Sequence, residues 1–243
     1  ESTNNIFERF ENINANISVQ LNNIFIDKNS KLTNLVGEIS LKKNDVISAE
    51  IRSKINNKND FSLSIKTNSR DEKVTNLFIE EPEPFIKNYK FIKGFTEGKL
   101  SYGSIEKNNE TRANLKIFDF KVQDVPVLAK LLTLASLQGI ADLLTGEGIR
   151  FNEFEMNYES NQSLTNINEM YAIGPAISIL MEGYIDRNKL TSLRGTLVPA
   201  TTINKTISKI PLLGDILVGK KVGEGVFGVS FKIKGPPKDL KTT

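Results

Sequence analysis

Apolar residues recur at every second position in one short segment after another: Ile17, Val19 and Leu21, then Leu35, Ile39 and Leu41, then Ile47, Ala49 and Ile51, then Phe61, Leu63 and Ile65. Successive side chains of a β-strand point to opposite faces, so this spacing gathers the apolar residues of a strand on one side, as no helix would. The stretches DKNS, KKND, NNKND and SRDE punctuate the segments. They are rich in Asn, Asp and Ser, whose side chains cap tight turns. Strands so closely spaced predict an antiparallel meander with one apolar face and one face of Asn, Lys, Ser and Glu.

Helical spacing interrupts this rhythm three times. In EPEPFIKNYKFIKGF, Phe85, Ile86, Tyr89 and Ile92 follow prolines suited to a helix start. After strands at 99–105 and 115–122, Asp124 and Pro126 predict a second helix with Leu128, Leu131, Leu132 and Ala135 on its apolar face. Gly139 is expected to separate it from a third that carries Ile140, Leu143 and Leu144. Strands return at 149–158, 164–173, 177–186 and 189–198, before TINKTISKIPLLGDILVG gives a last broken helical insert. The fold class expected is α+β and mostly β: a long curled antiparallel sheet, a β-groove, with short helices packed at its end. No linker rich in Pro, Gly or Ser divides the chain.

The stretch GEGVFGVS sets Gly223, Gly225 and Gly228 in the G-x-G-x-x-G spacing of nucleotide loops. A dinucleotide site needs a helix at the third glycine and an acidic residue about twenty positions on. Here the alternating strand VFGVSFKIKG follows, and too little chain remains for the catalytic parts of a kinase. The same Glu-Gly pair occurs at Glu97-Gly98 and Glu147-Gly148, so the signal is read as three helix-to-strand corners, without a nucleotide.

The chain contains no Cys, His or Trp. Thiol nucleophiles, disulfides, the usual zinc ligands and the commonest general base are thereby excluded. No G-x-S-x-G elbow occurs. Glu80, Glu81 and Glu83 read as a solvated helix start, and Glu153 with Glu155 as the wet side of a strand. No enzyme, metal or cofactor is expected. The 32 basic and 29 acidic side chains are interspersed, which excludes a nucleic-acid stripe, although Lys220, Lys221 and the lysines from Lys232 to Lys241 cluster near the C-terminus. The segment 125–144 is broken by Lys130, Gln138, Gly139 and Asp142, so it is not expected to cross a bilayer, and any signal peptide or membrane anchor is expected to lie outside residues 1–243.

Two readings of the apolar strand faces stand side by side. Ile177, Ile179, Met181 and Ile185 form an ordinary core under the helices, or they line a groove that meets something apolar and mobile. Many strands with few helices leave much sheet to cover, which favours the groove or a pairing partner.

Two stretches resemble a known family: FKVQDVPVLAKLLTLASLQGIADLLTGEGIRFNEFEMNY (120–158) and AIGPAISILMEGYIDRNKLTSLRGTLVPATTINKTISKIPLLGDILVGKKVGEGVFGVSFKIKGP (172–236). Their D-x-P-x-L-x-x-L-L opening, A-S-L-x-G-I-A-D-L-L-x-G-E-G-I-x-F, G-T-L-V-P and I-P-L-L-G-D-I-L-x-G are similar to the C-terminal region of the AsmA-like proteins, in particular the large YhdP-type members of Gram-negative envelopes. The resemblance divides the chain into a strand-rich groove segment, 1–119, and an AsmA-like region, 120–243, on one continuous sheet. It implies a periplasmic part of a longer inner-membrane-anchored protein that carries phospholipid acyl chains along an apolar groove between the inner and outer membranes, with the inner leaflet of the outer membrane as a partner. On this resemblance Ile177, Ile179, Met181, Leu193, Leu197, Phe227, Val229, Phe231 and Ile233 line or floor the groove. The helices with Leu128, Leu131, Leu132, Leu143 and Leu144, and with Ile210, Leu212, Leu213 and Ile216, close its end or touch the membrane. The competing expectation is a scaffolding module that binds an envelope protein by its sheet edge and carries no lipid.

Overall fold

The computed structural model describes residues 13–87, 93–187, 189–199, 228–236 and 239–243. They form one open sheet of thirteen strands in which spatial order follows chain order throughout. The strands are β1 (Ala15–Phe25), β2 (Lys31–Lys42), β3 (Asp45–Ile55), β4 (Asn59–Thr67), β5 (Lys73–Ile79), β6 (Lys93–Lys107), β7 (Glu110–Gln123), β8 (Ile149–Ser160), β9 (Leu164–Ile173), β10 (Ile177–Asp186), β11 (Thr191–Pro199), β12 (Val229–Gly235) and β13 (Lys241–Thr242). Three helices interrupt them: α1 (Glu83–Ile86), α2 (Pro126–Leu134) and α3 (Gln138–Thr145). The boundary at 119/120 falls inside β7, and each neighbouring pair around it is antiparallel, so both segments share one sheet.

The abundant asparagines explain the tight reversals. Lys43-Asn44 and Asn108-Asn109 are two-residue connections in which both residues take positive φ, and Asn56-Asn57 repeats the pair between β3 and β4. Such left-handed pairs match the twist of the strands that they join, and Asn tolerates them better than most residues. Strand β5 fills a segment that the alternation had passed over: KVTNLFI is short and its apolar positions are few, yet it pairs fully with β4 and β6.

The helices differ from expectation in their boundaries. Asp124 does not cap α2; it takes φ 51°, its amide donates to the Leu144 carbonyl at 3.3 Å, and Val125 occupies the N-cap. Gly139 does not break the helical run either, because it is the second residue of α3, facing open space. The break falls at Ser136, whose φ of 57° follows the end of α2 at Ala135. Of the helix expected over 85–92, α1 contains Phe85 and Ile86, and 88–92 lie outside the described residues. The three Glu-Gly corners separate in the same way. Gly148, with φ 87°, does join α3 to β8, but Glu97 and Gly98 sit within β6 as a left-handed pair, where a Cβ on Gly98 would stand 2.9 Å from that of Phe120. Gly225 lies outside the described residues, and Gly228 directly precedes the strand β12 with no helix.

The main core gathers at the α2–α3 end. Leu128, Leu131, Leu132, Ala141 and Leu144 pack with Phe95, Phe120, Phe151, Ile177, Leu197 and Phe231. The rings of Phe95, Phe120 and Phe151 stack in series at 5.6 and 5.5 Å. A smaller cluster of Leu32, Leu35, Ile55 and Ile79 lies under α1, whose Phe85 stacks on Phe61 at 5.8 Å. Leu132 is fully buried and Leu143 is 45% exposed. Leu132→Ala is therefore expected to lower the unfolding free energy by about 2–5 kcal/mol, and Leu143→Ala by no more than about 0.5 kcal/mol, in urea denaturation.

Candidate functional site

The strand register builds one apolar rung from β1 to β12. Val19, Gly37, Ile51, Leu63, Leu77, Tyr102, Leu115, Met156, Met170, Met181, Gly195 and Phe231 are direct cross-strand partners in that order. Partners directly opposite each other point to the same face, so these side chains form a continuous line across the sheet. From Val19 to Met181 every one of them is half-buried, and only Gly195 and Phe231 are buried. A parallel rung runs from Phe61 through Ile79, Leu100, Ile117, Phe154, Ala172, Ile179 and Leu197 to Val229. Half-burial is what a sheet gives its own side chains when neighbours cover their flanks and no second layer covers their tips. Among the described residues no second sheet lies over this face, and α2 and α3 pack at one end of it.

That end holds most of the residues singled out from the sequence. Ile177, Leu197, Phe231 and Ile233 are buried in the core with Leu128, Leu131, Leu132 and Leu144, while Ile179, Met181, Leu193 and Val229 are half-buried at its border. They floor a filled end of the face. Leu143 alone of the α3 leucines turns outward, as does Val127 on α2. Phe227, Ile210, Leu212, Leu213 and Ile216 lie outside the described residues. The half-open stretch lies on β1 to β10 instead, through Ile51, Leu63, Leu77, Leu115, Met156 and Met170. Alternation marks several of these as strand residues, but only the register shows that they form one line. A further signal was present in the composition: the chain has three methionines, and all three occupy adjacent positions of this rung.

Two tyrosines are the hydroxyl-bearing aromatics of the face. Tyr102 stands on the rung between Leu77 and Leu115, and Tyr158 pairs with Ala113 and Ile167 one step along. Burial, and a hydrogen bond with the Tyr102 hydroxyl, push the Tyr158 phenol well above its usual range.

The opposite face is polar and closely bonded. Glu155 accepts from Asn114 Nδ2 at 2.6 Å and from the Tyr171 hydroxyl at 2.5 Å, and lies 3.0 Å from Lys116 Nζ. Burial raises the Glu155 pKa, but the bonds from Tyr171, Lys116 and Asn114 outweigh it and leave the carboxyl below its ordinary value. A depression of about 500 Å³ is lined by Asn76, Ser104, Asn114, Asn157 and Tyr158, beside Arg112 and Glu159. It brings together amides and the Arg112–Glu159 ion pair. No group of His, Cys, Asp or Glu suited to a metal ion occurs among the described residues. No described helix is long and apolar enough to cross a membrane.

No family model, curated protein or solved structure matches the chain.

The Glu155 network has a definite pH signature. Its folded-state pKa lies below the ordinary 4.5, so its contribution to stability is present above that value and is lost as pH falls through the folded pKa. Between pH 6 and pH 3, the melting temperature of the parent is expected to fall more steeply than that of Glu155→Gln.

Proposed function

We propose that this chain carries phospholipid acyl chains on the apolar face of its sheet, without catalysis. The observation that supports this most is the rung from Val19 to Met181, apolar without interruption except for the Tyr102 hydroxyl and half-buried along its whole length. Exposed acyl chains cost about 0.8 kcal/mol per methylene in water, so a line of apolar side chains offsets that cost while head groups remain hydrated. A sheet has the further advantage that each strand adds about 4.8 Å to the line without altering its chemistry. The family resemblance motivates the setting: an envelope protein, anchored in the inner membrane through a longer chain, that passes lipid across the periplasm. The exposed Leu143 and Val127 on the helices at the filled end suit contact with a membrane surface or a partner there.

The test is lipid mass spectrometry of the purified 243-residue chain and of Leu63→Asp and Met170→Asp. Phospholipid in the parent and its loss from variants that stay folded by circular dichroism is the expected result. A lipid-free parent, or folded variants with an undiminished load, contradicts the reading.

One observation favours the scaffolding alternative. Strand β1, ANISVQLNNIF, is an edge of eleven residues with no charge, proline or glycine, and Ile17, Leu21 and Phe25 are exposed on it. Edge strands are commonly protected by lysine, proline or brevity, as the two-residue β13 with Lys241 is at the other edge. On this reading the purified chain is lipid-free and associates through β1, and Ser18→Lys with Gln20→Lys returns it to a monomer in sedimentation velocity. A lipid-bearing monomer contradicts it.

A further inference from the structure

Most glycines in the described strands are required by the backbone around them. A Cβ on Gly183 or Gly195 would strike the carbonyl oxygen of Ser192 or Leu180, one on Gly37 would stand 3.0 Å from the Glu50 oxygen, and Gly94, Gly98 and Gly235 take positive φ. Gly103, inside β6, differs from all of these: its φ is not positive, and a Cβ there would meet only Asn76 Oδ1, at 3.7 Å. A glycine inside a strand gives up packing and β-propensity. Where the fold does not require it, it marks the close approach of something else.

The missing side chain leaves a notch on the polar face, within the depression described above. Asn76 and Asn114 are the direct cross-strand partners of Gly103 and stand on either side of it. Asn114 Nδ2 donates to Glu155 at 2.6 Å and to Asn157 at 2.7 Å, both on β8, so its Oδ1 turns the other way, towards Gly103 on β6. Glu155 is held in turn by Tyr171 and Lys116, which fixes the asparagine before any ligand arrives. The Asn76 amide bonds to no other described side chain and can donate or accept. On the same face Ile105 lies next along β6 from Gly103, and Phe78 next along β5 from Asn76, and both are exposed. Ser62 and Ser101 are the cross-strand partners of Phe78, and such small neighbours leave its ring clear.

The cations around the notch are Lys66, Arg112 and Lys116, which lie 3.9, 3.2 and 3.0 Å from Glu50, Glu159 and Glu155. Paired in this way, they offer little to a phosphate or a carboxylate. The backbone of β5, β6 and β7 is engaged in ladders on both sides, so a peptide strand cannot add there. Fixed amides beside exposed apolar side chains instead match a sugar ring, whose hydroxyls donate and accept at its rim while its C–H surface is apolar. We infer that the Gly103 notch seats a neutral saccharide ring, with its hydroxyls on Asn76 and Asn114 and its C–H surface against Phe78 and Ile105. The site lies across the sheet from the apolar rung and holds whether or not that rung carries lipid.

The test titrates the full chain with neutral methyl pyranosides of glucose, galactose, mannose and N-acetylglucosamine, and with their oligomers, at millimolar concentration, and follows the side-chain amide resonances of isotope-labelled protein. At least one probe is expected to shift the amides of Asn76 and Asn114. Gly103→Val fills the notch with a residue favoured in strands, and is expected to weaken that binding about ten-fold or more while melting no lower than the parent. Asn76→Ala, an exposed change, is expected to weaken it without altering the melting temperature. The inference is overturned by the absence of any shift, by shifts confined to other asparagines, or by binding undiminished in Gly103→Val. A Gly103→Val chain that melts well below the parent overturns it too, because the glycine would then serve the fold.

Discussion

Everything in this molecule depends on the register of an antiparallel ladder. Side chains alternate faces with a period of two, so a slip of one residue in any strand would move its apolar set to the wet side. Twelve strands keep their apolar residues in one line only because each hairpin reverses at a set place. The Asn-rich connections do this: Lys43-Asn44 and Asn108-Asn109 accept the left-handed backbone that a two-residue reversal requires. Irregularities are tolerated where they restore the phase. Ile167 and Met170 are an odd number of residues apart, yet both have partners on the apolar face, because the register shifts where Asn157 and Tyr158 meet β9.

A sheet that buries one face normally covers it with a second layer. Among the described residues the helical cover lies at two places: α2 and α3 bring Leu132 and Leu144 together with Ile177 and Leu197, all four completely buried, and α1 lies against the smaller cluster of Leu32, Leu35, Ile55 and Ile79. The stability of the fold is concentrated at these two places, while the rung between is left half-covered. The hydrophobic effect thus does two jobs along one surface: at the filled end it holds the fold together, and along the rung it leaves apolar area that an apolar ligand would cover. The polar face balances this with bonded networks such as Glu155 with Asn114, Lys116 and Tyr171, which keep the outer side wet and specific.

The class of fold was legible because alternation and turn chemistry are local signals. Ile17, Val19 and Leu21 announce a strand whatever surrounds them. Helix boundaries were less so: Gly139 is the stronger breaker by propensity, but the chain turns at Ser136, where the packing of Leu131, Leu132 and Leu144 sets the geometry. The site was the least legible part. Whether Ile177 is core or groove depends on what lies above it, and alternation carries no information about that. Nor does spacing within one strand reveal that Met156, Met170 and Met181 stand side by side, since this is a property of pairing between strands.

Those three methionines also provide the most direct measurement. The chain has no others, so protein labelled at the methionine methyl carbons gives three resonances, all from the rung. Titration with a phospholipid carrying a nitroxide on its acyl chain is expected to shift and broaden all three. Resonances that keep their positions and widths at saturating lipid would contradict the account, because the half-covered rung would then not be where acyl chains lie.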